Sequence, residues 1–318
     1  MTINYKTSLL VPVGIFIIIL ALSVITGWLF DIPVLKSILP GFISMKINTA
    51  ICFLLSGAIF TRLAMDKWNN ACRFIAFFIL VFGFVTFSQN IFNYNLGIDQ
   101  LLMTDYDAIK KELPYPGRPS PTAAFCFSLY SFALLGITSQ NSRLKKLGQY
   151  SLHLITLFSF IALLGYLFSV AAFYKLAFLT NIAVHTALAF FILSIATSFI
   201  QKDRGITGIF TGRNIGNLLA RKLFPKMAIT ILLLTLLELY IIRNQMISED
   251  FGIALLGTSF IIVSLYFIAS TSRQLNKIDI KRIQAENKII KTNKNLEKIV
   301  VDRTIYLTNQ NKQLEDFA

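Results

Sequence analysis

The stretch Gly252-Ile-Ala-Leu-Leu-Gly-Thr-Ser-Phe-Ile-Ile-Val-Ser-Leu-Tyr-Phe-Ile-Ala-Ser270 carries no charged side chain. Residues 271–318 after it carry ten basic and six acidic side chains, with neither glycine nor proline. A bilayer crossing takes about 20 predominantly apolar residues, so the first stretch reads as a transmembrane helix. The second keeps a helical register. Ile268, Leu275, Arg282, Ile289 and Leu296 recur every seven residues, with Ile278, Ala285, Thr292 and Ile299 three places after the last four. Val300, Leu307 and Leu314 then resume the seven-residue spacing, displaced by four from Leu296. A four-residue insertion into a heptad pattern is a stutter, which locally unwinds a supercoil. The pattern predicts that the last span continues into water as a parallel, dimeric coiled coil. Arg282, Thr292, Arg303 and Gln310 weaken its seam.

Working outward, seven more segments are apolar enough to span: about 9–30, 47–63, 71–92, 122–138, 148–170, 183–200 and 227–242. The first is too long for the apolar core of a signal peptide. No stretch alternates as an outer-membrane barrel strand does. The expected fold is all-α and integral to the membrane: an eight-helix domain over residues 1–270 and a cytoplasmic coiled coil over 271–318. Composition agrees, with 55% hydrophobic and 14% charged residues, where a soluble chain is about a quarter charged. Three cysteines exclude a disulfide scaffold.

The formal charge of +14 supplies an orientation. With the N-terminus inside, the cytoplasmic side holds Lys6, Arg62, Lys67, Arg73, Arg143, Lys145, Lys146, Lys202, Arg204, Arg213, Arg221, Lys222, Lys226 and the basic tail. On the outer side, Lys36, Lys46, Lys110, Lys111, Arg118, Lys175 and Arg243 are matched by Asp31, Asp99, Asp105, Asp107, Glu112, Glu249 and Asp250. The positive-inside bias therefore places both termini in the cytoplasm. It also assigns the basic balance to anionic lipid rather than nucleic acid.

Three spans open alike. Asn48-Thr49-Ala50-Ile51-Cys52-Phe53 aligns with Thr122-Ala123-Ala124-Phe125-Cys126-Phe127 and His185-Thr186-Ala187-Leu188-Ala189-Phe190. The phenylalanines that close the motif are 74 and 63 residues apart, so the repeating unit is a two-helix hairpin. Two readings stand for Asn48, Thr122 and His185. They pack helix ends, as small and hydroxyl residues do in lipid, or they face a shared outer cavity and line a ligand site. Cys52, Cys72 and Cys126 read as packing residues.

Glu238, inside the seventh span, either binds a proton or ligand or reaches back to the interface. The segment 93–121 is the longest outer connection and the best candidate sensing surface, with Asp99 inside it and Gln89 and Asn90 beside it. The stretch from Asn214 to Phe224 reads as an interfacial helix leading into the seventh span. No zinc spacing, phosphate-cradling glycine loop or Ser/His/Asp set can be assembled. His153 and His185 fall on opposite sides of the membrane, which excludes a site shared between them.

The tail runs Arg282-Ile-Gln-Ala-Glu286, Asn295-Leu-Glu-Lys-Ile-Val-Val-Asp-Arg-Thr304 and Asn309-Gln-Asn-Lys-Gln-Leu-Glu-Asp-Phe-Ala318. It resembles the linker of bacterial membrane histidine kinases of two-component systems. Gly97-Ile-Asp-Gln-Leu-Leu102, Pro116-Gly-Arg-Pro-Ser-Pro121 and His185-Thr-Ala-Leu-Ala-Phe190 resemble the multi-pass regions that precede kinase or diguanylate cyclase outputs. Thr122-Ala123 departs from that pattern, which usually reads Asn-Thr. The resemblance implies a sensor and signal-transmission module in a bacterial inner membrane. It implies a homodimer formed through the C-terminal helix, with Leu275, Ile278, Ile289, Leu296, Val300, Leu307 and Leu314 on the seam. The phospho-accepting histidine, ATP with Mg, and the response regulator would all belong to a kinase part beyond Ala318. Residues 1–318 hold no catalytic motif. A small-solute transporter is the rival from another class.

Overall fold

The computed structural model describes residues 5–39, 42–168, 182–212 and 214–317. Lys175, Arg213 and the last two residues of the segment 148–170 lie outside them. The chain divides into two compact units, Met1–Gly212 and Arg213–Ala318. The described residues are helical and contain no strand. Eight of the helices are long and apolar enough to cross a membrane.

The first unit holds six of these: α1 (Tyr5–Leu29), α3 (Ile47–Ala64), α4 (Asn70–Phe92), α6 (Pro121–Thr138), α7 (Ser142–Phe168) and α8 (Val184–Ser198). Short helices α2 (Pro33–Ser37) and α5 (Tyr106–Lys110) lie in two connections, and α9 (Gly205–Thr211) closes the unit. Burial sorts the six into two sets. The spans of α3, α6 and α8 are 67%, 61% and 56% buried, those of α1, α4 and α7 only 28%, 28% and 33%. The first set therefore forms the interior, and each outer helix packs on an inner one: α1 on α3, α4 on α6, α7 on both α6 and α8.

Contacts between consecutive helices run antiparallel. Gly14 lies against Phe60 and Thr61, while Trp28 Nε1 donates to Met45 O at 2.8 Å. Helix α6 is approached closely from two sides. A Cβ on Gly83 of α4 would sit 2.8 Å from Ala124 O, and one on Gly148 of α7 would sit 2.9 Å from Ala133 O. Without a hydrophobic drive between helices in lipid, such close backbone contact supplies the packing energy.

The three repeat phenylalanines meet at the middle of the interior. Phe53, Phe127 and Phe190 have ring centroids 4.6 to 4.8 Å apart in every pairing. A polar tie closes the far end. Gln149 Nε2 donates to Ser198 O and to Thr207 Oγ1, both at 3.1 Å, and Thr207 donates to Ser198 Oγ at 3.0 Å.

The second unit contains α10 (Ile215–Arg243) and α11 (Glu249–Phe317). Pro225 lies inside α10, so the stretch read as an interfacial helix leading into the seventh span is continuous with it. Proline already has a helical φ and removes one hydrogen bond, which a helix with ten residues on its N-terminal side absorbs. The two helices pack antiparallel, Ile242 against Gly252 at one end and Lys222 Nζ donating to Gln274 Oε1 at 3.3 Å at the other. Helix α11 runs without a break through residue 270, where composition drew the boundary between membrane and tail.

Candidate functional site

The connection between α4 and α6 is held down by buried charge. Helix α4 stops at Asn93, in the left-handed conformation with φ 54°. Helix α6 starts at Ser120, whose Oγ accepts from Ala123 N at 3.2 Å, with Pro121 as the first helical residue. Between them Arg118 turns inward. Its Nε donates to Asp99 Oδ2 at 2.8 Å. The remaining guanidinium donors reach Tyr94 O at 3.1 Å and the main-chain O and Oε1 of Gln89, each at 3.4 Å. The Tyr115 ring stacks on the guanidinium at 3.8 Å. Only 2% and 7% of the Arg118 and Asp99 side chains remain exposed. A buried ion pair of this kind persists because hydrogen bonds meet its remaining donors.

Asn48, at the start of α3, donates to Asp99 O at 2.9 Å. Gln89 Oε1 also accepts from Leu96 N at 2.8 Å. A second buried carboxylate, Asp105, caps α5 by accepting from Ala108 N. It also accepts from Gly117 N and pairs with Lys46 at the start of α3. Gly117 has φ +78°, and a Cβ there would lie 2.7 Å from Asp99 O. Glycine is therefore required for Arg118 and Asp105 to be engaged together.

Beside this cluster lies a cavity of about 590 Å³, at the end of the unit where α3, α6 and α8 begin. Thr49, Ala123 and Thr186 line it. These occupy the second position of the repeat, directly after Asn48, Thr122 and His185. Asn48, Thr122 and His185 themselves are buried, at 5%, 3% and 3% exposure, and are not among the lining residues. Neither ring nitrogen of His185 has a hydrogen-bond partner among the described residues. Asn90 lines the cavity and donates to Thr86 O and Pro119 O.

The structure thus brings Asn48, Gln89 and Asp99 into one bonded cluster and sets Asn90 at the adjoining cavity. Arg118, Asp105, Lys36 and Lys46 carry as much of the arrangement, and the sequence alone marks Asp105, Lys36 and Lys46 only as charges. The available signal was the paired spacing of Asp99 and Asp105 ahead of Pro-Gly-Arg-Pro: two carboxylates in an apolar loop need partners.

Lys36 closes the cavity's rim. Its ammonium pairs with Asp31, lies 3.8 Å from Asp107 Oδ2 and sits 4.9 Å above the Trp28 ring. The hydrogen bond and charge of Lys36 hold the exposed Asp31 carboxyl below its ordinary range.

In the second unit, Glu238 is 9% exposed and faces Gly252: a Cβ there would lie 3.2 Å from its Oε1. Along α11, Leu275 is half-buried, whereas Ile278, Ile289, Leu296, Val300 and Leu307 are 39% to 61% exposed. The Leu314 side chain lies outside those described. His153 Nε2 accepts from Ile206 N at 3.1 Å, capping α9. Among the described residues, no group of three or more His, Cys, Asp or Glu could hold a metal ion. The three cysteines are free and buried.

Comparison of the chain with family models, with curated proteins and with solved structures finds no match.

Proposed function

We propose that this chain is the sensory and signal-transmitting module of a dimeric membrane histidine kinase in a bacterial inner membrane. A stimulus at the outer end of the six-helix bundle changes the packing of its hairpins. The last helix passes that change through a stuttered coiled coil to an output part beyond Ala318. That part would supply the phospho-accepting histidine, bind ATP with Mg and phosphorylate a response regulator. The observation carrying the reading is α11, a single helix from Glu249 to Phe317. Its first two dozen residues are apolar enough to span. Beyond Leu275 it exposes isoleucine, leucine and valine, the heptad positions Ile278, Ile289, Leu296, Ile299, Val300 and Leu307 among them.

An unbroken helix couples a displacement at one end to the other without a hinge, and a stutter lets the rod hold two packings of similar energy. The stimulus transmits only if it binds one packing better, since equal affinity for both shifts nothing. A diguanylate cyclase output would use the same rod.

Single cysteines introduced along residues 275–314 of the full chain, in membranes, test this. The native cysteines are buried, so they do not compete for oxidation. Disulfide dimers are expected at Leu275, Ile278, Ile289, Leu296, Val300, Leu307 and Leu314, with intervening positions weaker. An absence of dimers along the whole stretch would sink the proposal.

A further inference from the structure

The lining of the 590 Å³ cavity is chemically one-sided. Four basic residues line it, Lys36, Lys46, Lys111 and Arg118, against one acidic residue, Asp107. The carboxylates that hold Lys36, Lys46 and Arg118, namely Asp31, Asp105 and Asp99, are not part of the lining. The neighbourhood is neutral in sum, but the basic members border the space and three of the four carboxylates do not. Lys111 is exposed and makes no ion pair among the described residues.

Backbone adds to the same sign. The first turns of α3, α6 and α8 all contribute to the lining, and a helix start presents unbonded N–H groups and the positive end of its dipole. Helix α6 is capped by Ser120, but α3 and α8 begin at Lys46 and Ala183 with no side-chain cap. Two threonines border the same space. Thr49 and Thr186, 3% and 2% exposed, line the cavity without a hydrogen bond among the described residues. Each unbonded hydroxyl can donate to an acceptor bound in the cavity. The volume lies within the usual range for small-molecule pockets, and Phe42, Ile43 and Met45 supply an apolar wall.

We propose that this cavity binds an oxyanion, a carboxylate or phosphate, with the anion against Lys111 and the starts of α3 and α8 and any apolar remainder against Phe42 and Met45. The proposal rests on the sensor reading in one respect only, in that it names the ligand class for the sensor's outer end. The oxyanion could belong to a soluble molecule or to a lipid headgroup, because the two share the recognised chemistry.

The test uses the full chain with Ser37→Cys, a cavity position, in phosphatidylcholine nanodiscs at constant ionic strength. Alkylation of that thiol by neutral iodoacetamide is followed with inorganic phosphate, benzoate or benzylammonium present. Phosphate or benzoate is expected to slow alkylation severalfold, with benzylammonium inert. Lys111→Gln should raise the half-protecting concentration about fivefold, the upper end for one exposed ion pair, while Lys110→Gln, outside the lining, leaves it unchanged. Slow alkylation without added anion, appearing only in phosphatidylglycerol nanodiscs and relieved by Lys111→Gln, identifies the oxyanion as a headgroup. The proposal is overturned if no anion slows the reaction in either nanodisc, if benzylammonium protects equally, or if Lys111→Gln has no effect. Because the readout does not involve residues 275–314, its failure leaves the dimerisation test of the sensor reading untouched.

Discussion

The end of the bundle around Arg118 and the stretch of α11 beyond residue 275 solve opposite problems. Around Arg118, charged side chains are buried and nearly every donor finds an acceptor within the same chain. Along α11, apolar side chains stand in the open, Ile289 at 60% and Val300 at 61% exposure, with nothing among the described residues covering them. The first region makes its ion pairs within one copy of the chain. The second becomes favourable only against something else, since each exposed isoleucine or leucine forgoes roughly 1.5–3 kcal/mol of burial. The contrast assigns the two regions different dependences: one on internal satisfaction of charge, the other on association.

The sharpest way to break that contrast is to remove one charge from each region. Arg118→Met leaves the Asp99 carboxylate buried without its cation and should cost about 3–5 kcal/mol in thermal unfolding of the detergent-solubilised chain. Adding Asp99→Asn should recover much of the loss, because Asn48 bonds the main-chain O of residue 99 and not the carboxylate. Arg282→Met removes an ion pair of the same type from α11, Nε to Glu286 Oε1 at 2.9 Å, with side chains 63% and 54% exposed. It should change stability by less than about 1 kcal/mol. Next in size is Gly148→Leu, which drives a side chain into Ala133 O and Ile137 and should cost about 1–3 kcal/mol. Ala285→Leu, on the open face of α11, should cost nothing measurable by the same assay.

These regions were unequally legible in the sequence. Span positions followed from apolar length, because in lipid the backbone must satisfy itself and a helix is the one local way to do so. The repeat was readable too, since Phe53, Phe127 and Phe190 recur after the same small residues. The ion pairs were not. Asp99 and Arg118 are 19 residues apart and Lys46 and Asp105 are 59 apart, so only the folded loop brings them together. The position that lines the cavity was also hidden. Thr49 and Thr186 follow Asn48 and His185 by a single residue, about 100° around a helix, and the motif alone does not say which of the two faces the space. Pro225 does not stop α10, because one lost hydrogen bond is not enough to end a helix of that length.

Smaller effects sharpen the comparison. Leu296→Asn places a polar group on the seam of α11, more than half exposed in one chain. The unfolding midpoint of the bundle should not move, while disulfide capture at a reporter cysteine such as Leu307→Cys falls severalfold. A shift in the midpoint with capture unchanged would mean that the exposed seam serves the chain itself.

The smallest effect is a titration at the bundle end. The hydrogen bond from Lys36, and then its charge, lower the folded-state pKa of Asp31 below the ordinary 3.8, with a minor contribution from Lys110. The contribution of the pair is therefore complete above the unfolded value and is lost only as pH falls through the lower folded value. Asp31 itself is open to solvent, so little stability is at stake. What changes is the environment of Lys36, whose ammonium is buried and sits 4.9 Å above Trp28. In a Trp68→Phe background the Trp28 emission should show a step centred below pH 3.8. Asp31→Asn should remove the step. Asp107→Asn should leave it in place, since Asp107 lies 3.8 Å from the ammonium and Asp31 is in direct contact. If instead Asp107→Asn alone removes it, Lys36 is held across the cavity rim by α5, and the rim is closed by the loop whose other carboxylates engage Arg118 and Lys46.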